Sequence, residues 1–239
     1  MGLRSAILLF SGSPEDFGWE DFFPVPGLQG EVSLLQSAIV ADLAERLSEQ
    51  GFRRVVIYET SDARVDVSPP LPAKVERVMQ APGLMHRRVQ QGVKDITMSG
   101  DLSSVVVFLG RNPLYPVSLL TRGVELLGQE DDVIVLGEAT QENHGPSLMY
   151  IALKNYREEI FERNERWWQG GTPLLQAAVD APALVMTVRP FRNIVSKDDL
   201  GYLLHEIERE VLLKQWYPLR TYEMLFQMRR RHLIAETTE

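Results

Sequence analysis

The feature that narrows this chain most is an alternation of short apolar runs with stretches of helical period. Ser5 to Phe10 (SAILLF) has strand character, and so does Arg54 to Tyr58 (RVVIY). Between them, Ser33 to Gln50 places Leu35, Ala38, Ile39, Leu43 and Leu47 on one helical face. Ser33 and Gln36 stand at capping-box spacing, so the pattern predicts a helix starting at Ser33 and stopping at Gly51. A strand, a crossover helix and a second strand in this order argue for a parallel sheet.

The same alternation continues. Residues 61–73 (SDARVDVSPPLPA) are rich in breakers and predict no regular element. Met85, Val89, Val93 and Ile96 give a helix over 84–96, and residues 104–109 form a strand running into Gly110. Pro116 sits where a proline can open a helix, expected to run to about Leu127. Strands are predicted at Asp132 to Leu136, Leu148 to Leu153 and Ala183 to Val188. Short helices are expected near 155–163 and 172–179, flanking Trp167 and Trp168. Helices over about 196–214 and 219–234 close the chain, parted by Trp216-Tyr217-Pro218. The last of these either docks on its own core or reaches a partner subunit, which leaves a homodimer through the C-terminal helices open.

The expected architecture is a three-layer α/β fold, a mostly parallel (mixed) sheet flanked by helices. One domain spans 1–239, its core over about 5–210 and a helical extension over about 211–239. The 239 residues suffice for such a core, and no internal repeat or long linker divides them.

Composition removes several kinds of chemistry. There is no cysteine, which excludes disulfides, thiolate catalysis, zinc fingers and iron–sulfur clusters. A net charge of -8 opposes non-specific nucleic-acid binding, and the run Arg229-Arg230-Arg231-His232 reads as a solvated helix face. The apolar run Ala6 to Phe10 is too short for a signal peptide, and no window approaches the roughly 18 apolar residues of a membrane span. A cytoplasmic protein is the simplest expectation.

Familiar motifs fail as well. Ser11-Gly12-Ser13-Pro14 follows the first strand in place of G-x-G-x-x-G, and its proline lacks an amide donor. No Walker A sequence and no G-x-S-x-G elbow occurs. His86, His205 and His232 read as helix-surface residues, none at metal-ligand spacing from another. His144 lies in the loop Gln141 to Pro146. If the strand before it runs parallel to the one ending at Gly110, both loops open at one sheet edge, where open α/β folds keep their chemistry.

Four stretches then stand out together: Pro24-Val25-Pro26-Gly27, Gly110-Arg111-Asn112-Pro113 with Pro116, Asn143 to Tyr150, and Asn193 to Leu200. Their order and spacing resemble the nucleotide-diphospho-sugar transferase superfamily, the GT-A fold. Within it the nearest likeness is to small bacterial glycosyltransferase-like proteins linked to radical-SAM genes. Molybdenum-cofactor and phospholactate guanylyltransferases are more distant likenesses. The resemblance implies a basic pair after P-x-P-G, a metal-holding Asp in the G-x-D-x-P motif, a D-G-G loop and a D-x-D-T-x-x-D-L stretch. In this chain Leu28 to Val32 has no basic residue, Arg111-Asn112 stands where the acid belongs, and Asn193 to Leu200 keeps only the closing Asp199-Leu200.

The pattern of losses separates fold from chemistry: the prolines, glycines and apolar residues persist, while the metal acids and phosphate bases do not. The expectation is a transferase-like protein with an eroded site that binds a nucleotide, a sugar or a protein partner without efficient transfer. Ser11, Gly12, Ser13, Arg87, Arg111 and Asn112 are the expected nucleotide-binding residues, and no metal ligand is assigned. The alternative is an active glycosyl- or nucleotidyltransferase whose charge is met by Arg111 with Arg87 or Arg88, or by a relocated metal. Asn112 would then bind ribose or sugar, with Glu142 or His144 as base, and Mg²⁺ or Mn²⁺ would enter only in this active case. A third reading is a structural subunit of a homo-oligomer.

Overall fold

The computed structural model describes residues 3–12, 29–60, 69–100, 102–140, 148–162, 183–212 and 216–234. Strands are β1 (Leu3–Phe10), β2 (Phe52–Glu59), β3 (Val75–Met79), β4 (Ser104–Phe108), β5 (Val133–Thr140), β6 (Leu148–Leu153) and β7 (Leu184–Arg192). Helices are α1 (Gln29–Ser48), α2 (Met85–Met98), α3 (Val117–Leu127), α4 (Glu158–Phe161), α5 (Lys197–Leu212) and α6 (Leu219–Arg230). The strands form one sheet in the order β3-β2-β1-β4-β6-β5-β7. Its core strands are apolar because both faces are covered: every residue of β4 and β6 is buried. The α/β architecture and its mostly parallel, mixed sheet are as expected, and the parallel part is what the alternation of runs predicts.

Among the described strands only β6 runs against its neighbours, β4 and β5. Two reversals restore direction, so β5 is parallel to β4, and β7 is parallel to β5. The carboxyl ends of β1, β2, β3, β4, β5 and β7 therefore share one edge. β5 ends at Thr140 on this edge, and His144 itself lies outside the described residues.

Tyr150 of β6 locks the antiparallel insertion to its cover. Any Cβ on Gly137 of β5 or Gly123 of α3 would collide with the Tyr150 ring or hydroxyl. The hydroxyl donates to the Leu119 carbonyl at 3.3 Å, and burial pushes it well above its ordinary pKa.

Three expectations need correction. The first long helix begins at Gln29, so Ser33 lies inside it, its carbonyl accepting from the Ser37 hydroxyl at 3.1 Å. The C-terminal stop does hold, since Gly51 takes φ +81°, the left-handed value open to glycine. Second, β3 was not foreseen. Val75 to Met79 is an edge strand that buries one residue and pairs through its backbone with Val55 to Glu59, so it shows no clean apolar alternation. Third, His86 is buried in the first turn of α2, whereas His205 and His232 are exposed as expected.

The terminal helix α6 docks on α1 of its own chain. Arg220, 3% exposed, donates to Asp42 at 2.9 Å and to the Pro69 carbonyl, and the Thr221 amide donates to Asp42 at 2.8 Å.

Candidate functional site at the carboxyl edge of the sheet

The edge is built where parallel strands end with unpaired backbone groups, which must find partners or water. Side chains from the loops supply those partners. Gln80, one residue past β3, donates to the carbonyls of Ser11 and Tyr58, each at 2.7 Å. The Ser11 amide already donates to Tyr58 at 2.9 Å. Ser11 and Gly12 are thus buried backbone at the end of β1, with the Ser11 amide turned into the sheet.

Arg111 and Asn112 follow β4 and are each 1% exposed. The Arg111 guanidinium turns inward, donating to the carbonyls of Phe10 at 2.8 Å, Gly110 at 3.2 Å and Leu109 at 3.4 Å. Its backbone amide donates to Asn193 Oδ1 at 2.7 Å. The Asn112 amide nitrogen donates to the Arg192 carbonyl at 2.9 Å, and its oxygen accepts from the Leu114 amide. These two residues tie β4 to β1 on one side and to β7 on the other.

The far side of the edge is a capping box at the start of α5. The Ser196 amide donates to Asp199 Oδ2 at 3.0 Å, as do the Ser196 hydroxyl and the Val195 amide, while the Asp199 amide donates back to the Ser196 hydroxyl. Arg192 donates from Nε and Nη2 to Asp199 Oδ1 and lies over the Tyr202 ring at 4.1 Å. A cleft of about 100 Å³ opens between β5, β7 and this helix start.

Of the residues expected to bind nucleotide, Ser11, Gly12, Arg111 and Asn112 meet at this edge, and Arg87 stands exposed on the first turn of α2, donating to Gln90 at 3.1 Å. Ser13, Glu142 and His144 lie outside the described residues. The sequence reading missed Gln80, Thr140 and Arg192. Arg192 was hidden because the strand was expected to stop at Val188, and its Pro190 is tolerated on an edge strand. Tyr58, at the end of β2, is held neutral because burial pushes its hydroxyl up to about 12.

A divalent cation fits this edge poorly. Both Asp199 oxygens, Asn193 Oδ1 and Asn112 Oδ1 already accept internal hydrogen bonds, and a guanidinium fills the base. Among the described residues no group of three or more acidic or histidine side chains converges to hold a metal ion.

The mixed sheet and its crossover helices have the architecture of the nucleotide-diphospho-sugar transferase (GT-A) type of α/β fold. A protein from Desulfovibrio desulfuricans G20, provisionally named a nucleotide-diphospho-sugar transferase, superimposes with TM-score 0.69 at 17% identity, over 95% of this chain and 96% of that one. The 4-diphosphocytidyl-2C-methyl-D-erythritol synthase of Anaerococcus prevotii DSM 20548 gives 0.53 at 11% identity, over 87% of this chain and 100% of that one. CMP:2-keto-3-deoxy-manno-octonic acid synthetase, solved with CTP, gives 0.51 at 10% identity, over 88% and 100%. No protein-family model matches the chain, and no curated protein does. Likeness at these identities establishes the fold.

Proposed function

We propose that this chain binds a nucleotide or nucleotide-sugar at the carboxyl edge of its sheet without transferring it efficiently. The observation that carries this reading is the inward turn of Arg111 and Asn112. Both lie where the resemblance expects a metal-binding carboxylate, and both hold strand ends together instead. Transfer from a nucleoside diphosphate needs the leaving charge neutralised, usually by a cation held between carboxylates. The fold neighbour solved with CTP supports a nucleotide as the class of ligand. In this reading Ser11, Gly12, Ser13 and Arg87 border the nucleotide, and Arg111 and Asn112 position the rim beneath it. Isothermal titration with UDP, GDP, CTP and their sugar conjugates tests it, alongside chromatographic detection of released nucleotide. Saturable binding with release no faster than in a protein-free control is expected; turnover overturns the reading.

A second reading, an active transferase, is favoured by one observation. Because β5 runs parallel to β4, Thr140, the last described residue before Glu142 and His144 in the sequence, ends on the same edge as Arg111. Turnover abolished in His144→Ala or Glu142→Gln would establish it.

A further inference from the structure

We propose that the outward face of α6 is a contact between two copies of this chain, packed antiparallel about a two-fold axis that passes between Phe226 and Gln227. It does not depend on the nucleotide reading above.

Helix α6 buries Thr221, Leu225 and Met228 against the rest of the chain. Leu219, Glu223, Phe226 and Arg230 recur at helical spacing on the opposite side and form one exposed stripe. Phe226 and Leu219 are 37% and 39% exposed. The Phe226 ring is held in place: it stacks on Tyr222 at 5.8 Å, Tyr222 lies 5.3 Å from Tyr217, and the Arg229 guanidinium sits 5.4 Å from the Phe226 centre. An exposed aromatic that is already ordered loses little entropy on association, which suits an interface anchor. The pairs Arg231–Glu31 and Thr221–Asp42 set α1 antiparallel to α6, so Leu34 of α1, 55% exposed, stands level with the second half of α6.

The charges of the stripe say which partner fits. Arg229 donates to Glu208 at 2.9 Å and Arg231 to Glu31 at 2.8 Å, both within the chain. Arg230, between them, has no ion pair among the described residues, and neither has Glu223. The two cannot meet each other, since two turns of helix hold them about 10 Å apart along its axis. Arg220, one turn before Glu223, is engaged by Asp42. Glu223 and Arg230 stand equally far on either side of the midpoint between Phe226 and Gln227. A two-fold axis through that midpoint brings Glu223 of each copy against Arg230 of the other, twice, with the two Phe226 rings side by side at the centre. One patch then serves both copies, as a closed two-fold contact requires. A partner of different sequence would need its own acid, aromatic and base in the reverse order; a second copy supplies all three.

Sedimentation velocity of the full chain over a range of protein concentrations tests this. A reversible monomer–dimer equilibrium is expected, because a single pair of helices makes a small interface. Phe226→Asp should lower the association constant tenfold or more. Glu223→Arg and Arg230→Glu should each weaken association by a similar factor, and both together in one chain should restore it, since the double reversal recreates the two pairs. All three positions are exposed, so melting temperatures in dilute solution, where the chain is monomeric, should match the parent and separate loss of contact from loss of fold. A chain that stays monomeric at every concentration overturns the proposal. So does a dimer unaffected by Phe226→Asp, or a double reversal that associates as weakly as the single ones.

Discussion

Arg111 shows how much a single residue can mean when only its direction differs. Breakers at Pro113 and Pro116 mark it as lying past a strand, which is why its place at the edge was legible. Nothing in an Arg-Asn pair states whether the guanidinium faces a ligand or the carbonyls behind it. The fold decides, because the end of β1 presents Phe10 O 2.8 Å away. Arg111→Met removes hydrogen bonds to a charged donor, each contributing about 1.5–3 kcal/mol, so the urea midpoint should fall clearly even with no ligand present. An unchanged midpoint would mean that Arg111 serves only a ligand. Asp42 supplies a test in pH. Burial, opposed by hydrogen bonds from Thr221 and Arg220, holds its carboxyl above the usual range. A group raised in the fold adds stability when protonated, fully below its unfolded value and lost as pH rises through the folded one. The melting temperature of the protein minus that of Asp42→Asn should therefore grow as pH falls from about 7 to about 4. A difference that shrinks toward acid would contradict this.

At the scale of elements, periodicity was a good guide wherever burial was regular. Helix α2 buries Met85, Val89, Val93 and Ile96, the residues its spacing marked, and β6 spans the predicted Leu148–Leu153. The guide failed where backbone pairing or local capping, not apolar pattern, defines the element. Edge strand β3 is held by its ladder with β2 and by Arg77–Glu59 and Arg54–Glu76 pairs, so its side chains carry little signal. The capping-box spacing at Ser33 is accidental, since Ser33 lies inside α1. The working one, Ser196 with Asp199, has the same spacing and lies in a stretch legible chiefly through its resemblance. Ser196→Ala should lower stability by about 1 kcal/mol, and a loss under a few tenths would refute the cap. Gly137→Ala and Gly123→Ala force a methyl into Tyr150 and should cost about 1–3 kcal/mol each, read from chemical denaturation. Tyr150→Phe would not relieve Gly137, whose neighbours are ring carbons.

The whole molecule closes through a charge. Arg220 fastens α6 to α1 and to the segment before β3, joining residues far apart in sequence. No periodicity could announce it, since a lone Arg opening a helix looks like any surface residue. Arg220→Ala should cost about 3–5 kcal/mol, because Asp42 is then left buried and unpaired. Deletion of residues 219–239 should accordingly destabilise the fold itself; a truncated chain of full stability would point instead to an arm for a partner. Among the described residues no helix is long and apolar enough to cross a membrane, and the carboxyl edge is where the described loops bring polar groups together.

The measurement that bears most directly on the account is thermal denaturation with each nucleotide and nucleotide-sugar, once in chelator and once in Mn²⁺ or Mg²⁺. A ligand at about 100 times its dissociation constant adds about 2.7 kcal/mol, a rise of roughly 5–10 °C for a chain this long. The expected rise is the same with and without the metal and is accompanied by no product. A rise that appears only with the metal, followed by release of nucleotide, would contradict it and place a working transfer site at this edge.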